Sequence, residues 1–312
     1  MTWDILGIGC AAVDDLVYLD HFPAPDSKTR AQAMQRQGGG LTATALVAAA
    51  RLGASAAFAA RLGDDELSRY TIRELEREGV DCSQVALDEP ARPYHAIIVV
   101  DLSTGSRTIL YTGEGVVPPR PEDMTRELVS RCQMLVVDPH AQDAAIAALA
   151  QAHACGIPVV ADVEDEASPA AQALLGSADH LIIGIELAAR LTGLQNPAAM
   201  VRALARPAQA CCAVTVGAQG CWYTGAGDGA LVHHLPAFHV DVVDTTGCGD
   251  VFHGAYAAAI ARGAGPRAAI RVATAAAGLK ATRPGGRAGI PDWPALQHFL
   301  AEHEDDDCVD PA

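Results

Sequence analysis

The stretch DVVDTTGCGDVFHGAYAAAI, residues 241–260, places Asp244, Thr245, Thr246, Gly247, Cys248, Gly249 and Asp250 between an apolar run and an Ala-rich segment. A helix N-terminus is electropositive and presents amides with no intrahelical partner. Glycines at 247 and 249 let the backbone approach an anion, so that the amides of residues 247–250 can point into one concavity. Such donors stabilise charge that develops on a transferring group, each by on the order of 10²–10³ in rate. Asp250, beside that cradle, is placed to take a proton from a hydroxyl. The same spacing also suits a capping Asp on a tight strand–helix turn. Taken alone, it leaves both readings open.

A second anion-friendly stretch, KATRPGGRAGIP (280–291), sets Arg283 and Arg287 around the pair Gly285 and Gly286. These loops must be held by regular elements. WDILGIGCAA, ASAAFAARLG, MLVVDP, IPVVADV, HLIIGI and CCAVTVG read as buried strands, most of them ending in Gly, Pro or Asp. Between them GLTATALVAAARLG, ELSRYTIRELEREG, AQDAAIAALAQAHACG and GIELAARLTG have helical spacing and end in Gly. The alternation predicts βαβ units and an α/β fold whose mainly parallel sheet has helices on both faces. Ligands of such sheets sit beyond the carboxyl ends of the strands. Two segments break the rhythm. Residues 13–37 look extended, and residues 93–111 read as a hairpin turning at DLSTGS. Paired, they would form a small sheet over the site.

The chain of 312 residues is half apolar, with 4% aromatic residues, a formal net charge of −16 and a pI near 5.0. That balance excludes the basic face that nucleic acid or an anionic membrane would require. Nine cysteines without a C-x-x-C pair read as reduced thiols. MTWDILGIGC has no basic n-region, and no apolar run reaches membrane-spanning length, so a cytoplasmic protein is expected. The acidic segment 303–312 reads as disordered. GIGCAA offers Gly7, Gly9 and Ala12 as a dinucleotide fingerprint, but the following VDDLVYLDHFPAP is not a helix, which weakens that reading. His233, His234 and His239 have no cysteine spacing to complete a zinc site.

DTTGCGDVFHGA resembles the C-terminal signature of the PfkB-type, ribokinase-like carbohydrate kinases, usually D-T-x-G-A-G-D. QGGGLTATALVAAARLGASAAFAARLGDD (37–65) resembles their N-terminal signature, and VTVGAQGCWY (214–223) their nucleotide-binding turn. The three lie in the family's order over nearly the whole chain. The resemblance implies a ribokinase-like domain over residues 1–312 with a β lid built from segments 13–37 and 93–111. It implies transfer of the ATP γ-phosphoryl group to a sugar hydroxymethyl, with Mg2+ on the phosphates. Asp250 then matches the catalytic base, and Gly247, Cys248 and Gly249 the anion hole. Asp14, Gly39, Gly40 and Thr44 match sugar-contacting positions. Thr215, Gly217, Gly220, Gly285, Gly286 and Arg287 match the ATP side. Asp244 and Thr246 resemble ligands of a monovalent-cation site, which would hold K+. An open lid edge also makes a homodimer through the lid an expectation.

The departures are local. Glu186 in GIEL (184–187) is one residue out of register with the N-x-x-E motif of many relatives, and Cys248 replaces the usual Ala. Cys248 reads there as a small residue, although a helix N-terminus can lower a thiol pKa and invite oxidation. Ser68 replaces the Gly that commonly closes G-D-D-x-x-G. The C-terminal third resembles sulfofructose kinases more closely than ribokinases, which would let Lys28 pair with an anionic substrate end. A sulfonate pocket, however, calls for an arginine where His140 stands. A ketohexose or another acid-tailed sugar fits equally, a nucleoside kinase of the same fold is the nearest rival, and a non-catalytic sugar-sensing or assembly module is the non-enzymatic alternative.

Overall fold

The computed structural model describes residues 2–104, 106–225, 227 and 231–303. Its strands, in chain order, are β1 (Trp3–Ile8), β2 (Ala12–Leu19), β3 (Ala33–Gly39), β4 (Ala56–Leu62), β5 (Val80–Leu87), β6 (Tyr94–Asp101) and β7 (Arg107–Thr112). They continue with β8 (Cys132–Val137), β9 (Val159–Asp162), β10 (His180–Gly184), β11 (Cys211–Thr215), β12 (Cys221–Gly225) and β13 (His233–Leu235). Nine of these form one sheet in the order β13-β12-β11-β10-β9-β8-β1-β4-β5. The strands from β11 to β5 are parallel, and β12 and β13 add antiparallel at one edge.

The centre of the sheet is covered on both faces, so its strands are apolar almost throughout; all four residues of β9 are buried. On one face the helices Leu41–Arg51, Cys248–Ala261 and Pro266–Ala281 share an apolar core with Ile5, Phe58 and Val136. On the other, Asp143–Cys155, Pro169–Ser177 and Pro197–Leu204 pack on Leu6, Leu135 and Leu181. Alanine abundance has its physical reason here, because small side chains let helices lie close to the sheet and to one another. At Gly254 a Cβ would overlap the carbonyl of Ala45, so the helices Cys248–Ala261 and Leu41–Arg51 touch backbone to backbone.

The two extended segments pair into a second sheet, β3-β2-β6-β7. β2 runs antiparallel to β3 and parallel to β6, and β6 and β7 form the expected hairpin. The first segment is not continuous: β2 stops at Leu19, and 20–32 is an irregular connection containing Pro23 and Pro25. Side chains alternate across a strand, so Asp14, Leu16 and Tyr18 share one face with Gln35 and Gln37 of β3 and Ala96 and Ile98 of β6. Leu16, Tyr18, Ala96 and Ile98 make a small apolar cluster of their own. Arg107 of β7 reaches the body, donating to Thr245 Oγ1 at 3.2 Å.

Gly7, Gly9 and Ala12 lead from β1 into β2 of the other sheet, not into a helix, which removes the dinucleotide reading. From residue 304 onward the expected acidic tail lies outside the described residues. Among the described residues no helix is long and apolar enough to cross a membrane.

Candidate active site

The 241–260 junction folds as a loop entering the helix Cys248–Ala261, with Gly247 as its N-cap at φ +74°. A Cβ there would also come within 2.9 Å of the Gly286 carbonyl oxygen, so two constraints demand glycine. The first helical bond joins Val251 N to Gly247 O at 2.9 Å. The amides of Gly249 and Asp250 have no backbone partner among the described residues and face the helix mouth as free donors. Cys248 departs from the expected cradle, because its amide turns back onto Thr245 O at 3.2 Å. Its thiol lies 3.5 Å from Ala277 O on the next helix. Burial pushes that thiol up, outweighing the Lys280 ammonium.

Asp250 is half-buried in the first turn of the helix. Burial, then the carboxylates of Asp162 and Glu164, raise its pKa well above the usual carboxylate range, with His253 and Arg287 opposing. A carboxylate of raised basicity is a better proton acceptor near neutral pH. Asp162, the last residue of β9, is itself raised by burial, and its Oδ2 has no hydrogen-bond partner. His253 Nδ1 lies 3.2 Å from that oxygen but is aimed at Gly249 O, 2.8 Å away, while Nε2 meets Ile182 O at 2.9 Å. The two carboxyls therefore titrate as a pair.

Asp14 stands across from this group on the inner face of the lid, only 8% exposed. A Cβ on Gly39 would strike its carboxylate. Burial raises Asp14 to about 6, with Arg287 as the main opposing charge. Arg287, expected on the ATP side, is directed toward Thr44 and Gly39. Arg51 grips the carbonyls of Arg287 and Ile290 at 2.9 Å each, and the Arg287 guanidinium runs beneath Gly38 and Gly39. It donates to Thr44 Oγ1 at 3.1 Å and to Gly39 O at 2.8 Å. Burial lowers it to about 10, and Asp14 and Asp250 are the carboxylates that hold it up most. Thr44 and Gly39 are thus gathered with Asp14, and Gly40 caps the helix Leu41–Arg51 beside them.

His140 follows β8, its amide bonded to Asp138 Oδ1 at 2.9 Å and its Nδ1 3.1 Å from Tyr94 Oη. Lys28 is exposed in the β2–β3 connection, with no hydrogen bond or ion pair to the cluster among the described residues. Thr215 ends β11, and Gly217 and Gly220 shape the turn into β12. Gly285 and Gly286 approach the junction from another direction, Gly285 N donating to Asp244 Oδ2 at 2.8 Å. A cleft of about 510 Å³ opens between lid and junction, lined by Tyr18, Gln35, Arg107, Asp244 and Pro284.

Several members of the site were not picked out from the sequence. Asp138 is fully buried and receives Cys10 N at 2.8 Å, Thr42 Oγ1 at 2.7 Å and the His140 amide, which fixes three loops around one carboxylate. Asp138 and Asp162 each stand at a strand's carboxyl end, a position that marks them as candidates without any motif. Lys280, a charge on the buried face of an Ala-rich helix, is a further member.

A twisted parallel sheet, a four-stranded lid and a carboxylate at an open helix mouth define a ribokinase-like α/β phosphotransferase. Residues 5–293 match the pfkB family carbohydrate kinase pattern, and the chain belongs to that family. It is 26% identical over 307 residues to the ribokinase of Bacillus subtilis (strain 168), covering 96% of this chain and 99% of that one. An Agrobacterium tumefaciens structure provisionally described as a ribokinase superposes with TM-score 0.90 at 30% identity, covering 98% and 99% of the two chains. An E. coli protein provisionally described as ribokinase II, solved with ATP and Mg2+, has TM-score 0.81 at 20% identity over 96% and 100%.

Proposed function

We propose that this carbohydrate kinase transfers the γ-phosphoryl group of ATP to a hydroxymethyl of a ketose or an acid-tailed sugar, with Asp250 as general base. The observation that carries the reading is Asp250 itself, a carboxylate of raised basicity in the same helical turn as two unpartnered amides. Asp250 accepts the hydroxyl proton as the new O–P bond forms and the bond to the ADP oxygen breaks. The amides of Gly249 and Asp250 meet the charge on the phosphoryl oxygens, which grows or shifts during transfer. Mg2+ on the nucleotide phosphates would supply charge neutralisation when bound.

Asp14 accepts hydrogen bonds from sugar hydroxyls, while Arg287 and Asp138 hold the loops that shape the pocket. An acid-tailed substrate is supported by Arg287, a buried cation with no carboxylate within ion-pair distance among the described residues. A second copy of the chain suits the lid. β7 is exposed along its whole length, and Met34, Ile97 and Leu110 are exposed on the sheet's outer face.

The test is sugar-dependent ADP release with Mg-ATP over ribose, fructose, sulfofructose, phosphorylated ketoses, aldonates and nucleosides. Turnover on a ketose or sugar acid that Asp250→Asn abolishes is expected. Preference for a nucleoside would move the assignment to a nucleoside kinase. Full activity in Asp250→Asn would overturn the mechanism.

A further inference from the structure

The junction contains a buried cation of its own. Lys280, in the last turn of the helix Pro266–Ala281, has a relative exposure of 0%. Its Nζ donates to the Asp244 carbonyl oxygen at 2.8 Å. The Asp244 carboxylate is engaged as well. Oδ1 accepts from Thr246 N at 2.8 Å, and Oδ2 from Gly285 N at 2.8 Å. The amides of Val243 and Asp244 both donate to Ala281 O, at 2.8 and 3.0 Å, so the loop is docked on the end of Lys280's own helix.

This arrangement does not fit the K+ site that the sequence implied for Asp244 and Thr246. A bare cation needs several oxygens with free lone pairs, and here the Asp244 carbonyl already faces an ammonium while each carboxylate oxygen faces an amide. A metal ion added at this loop would also stand close to the fixed positive charge of Lys280. Burial lowers Lys280 from its ordinary value, and the Asp244 carboxylate beside it opposes that shift. The other charged groups that act on it are Arg107, from the lid, and Asp250. Burial likewise opposes charge on Asp244, but the two amides and Lys280 more than offset it and hold the carboxylate below its usual range. Ammonium and carboxylate thus sustain each other one turn before the helix mouth.

We infer that the Lys280 ammonium is a tethered monovalent cation, which holds the 244–247 loop and thereby the anion cradle in place without K+. Lys280 is a positioning residue: it touches the loop, not the reacting atoms. The inference rests on reading that cradle as a phosphate site, so the test reads nucleotide binding and stability, not sugar turnover.

Binding of Mg-ADP and thermal midpoint are measured for the wild-type chain in choline chloride and in KCl at equal ionic strength. The wild type is expected to bind Mg-ADP with a Kd that changes by no more than about twofold between the salts. A Kd about tenfold lower in KCl would show that the loop still recruits a metal ion, and would overturn the inference. This arm needs no variant and stands even if a truncated buried lysine compromises folding. Lys280→Ala opens space for a free ion. In choline its Kd should rise about tenfold or more, with recovery in KCl or methylammonium chloride. Binding equal to wild type in choline would overturn the proposal. No Mg-ADP binding in any salt would overturn the kinase reading and this inference with it, an outcome distinct from K+ dependence.

Discussion

The body and the lid each contribute one carboxylate of raised pKa to the candidate site, Asp250 and Asp14, and the two are supported very differently. Asp250 stands on a helix packed into the main core, where Val251, Phe252, Ala255 and Tyr256 are buried. Asp14 stands on β2, in a sheet whose own apolar cluster is Leu16, Tyr18, Ala96 and Ile98 with Val100 partly buried against it. One lid strand, β7, is exposed at every position. Proton transfer demands positions held to fractions of an ångström, whereas recognition must admit a sugar and release it. Under the proposed roles, the chemistry sits on the part with the larger core, and the recognising carboxylate on the part that can open with least loss of burial.

The sharpest way to break this contrast is kinetic. Asp250→Asn keeps the shape of the side chain and removes the base, so kcat should fall by about 10²–10⁴ with sugar KM nearly unchanged. Asp14→Asn should instead raise sugar KM by about 10–100-fold, the worth of a hydrogen bond to a charged group, with ATP KM unaffected. Steady-state kinetics on the best substrate of the panel separate the two. Equal losses of kcat in both variants would show that Asp14 takes part in the chemical step and would erase the division.

The same contrast governs what could be read from the sequence. Strands such as MLVVDP and helices such as AQDAAIAALAQAHACG were legible because burial on both sheet faces writes apolar runs and Gly stops directly into the chain. Asp250 was legible as a candidate because the helix mouth gathers its carboxylate and the glycines within a few residues of sequence. The direction of the Arg287 side chain was not legible, since it is set by Arg51 gripping the 287–290 loop, 236 residues away in sequence. Asp138 and Thr42 meet across 96 residues and Lys280 and Asp244 across 36, and no local pattern records such meetings. The irregular 20–32 stretch carries two prolines, yet its neighbours' alternation was read through it as one extended segment.

Truncating the two cores should separate them in stability as well. Leu46→Ala empties a fully buried site between the helix Leu41–Arg51 and Gly7 of β1, and should cost about 2–5 kcal/mol of global stability. Leu16→Ala, at 2% exposure, removes the same atoms from the lid cluster. There the loss should fall on local opening, with faster amide exchange in β2, β6 and β7 and a smaller drop in the denaturation midpoint. Urea titration with residue-level hydrogen exchange tells these apart. Equal global losses would mean that the lid and body unfold as one unit.

The smallest effect expected is also the one whose sign is least intuitive. Asp14 has a folded-state pKa of about 6 against an ordinary value of 3.8, with burial as the leading cause. Between those values the folded chain binds more protons at this site than the unfolded chain does. Stability from this group therefore falls as pH rises through that window, and the full cost is present above about 6. Asp14→Asn removes the charge and should be more stable than wild type at pH 8, by at most about 3 kcal/mol. The advantage should shrink as pH falls towards 4, where the wild-type carboxyl is protonated in the folded state. Thermal melts of both proteins at several pH values give the difference directly. The same ionisation should reduce sugar affinity below about pH 6, because a protonated Asp14 loses its acceptor strength toward hydroxyls. An Asp14→Asn variant less stable than wild type at pH 8 would mean that Arg287 stabilises this carboxylate more than burial destabilises it. The lid's acid would then be a structural ion-pair partner first and a recognition group second.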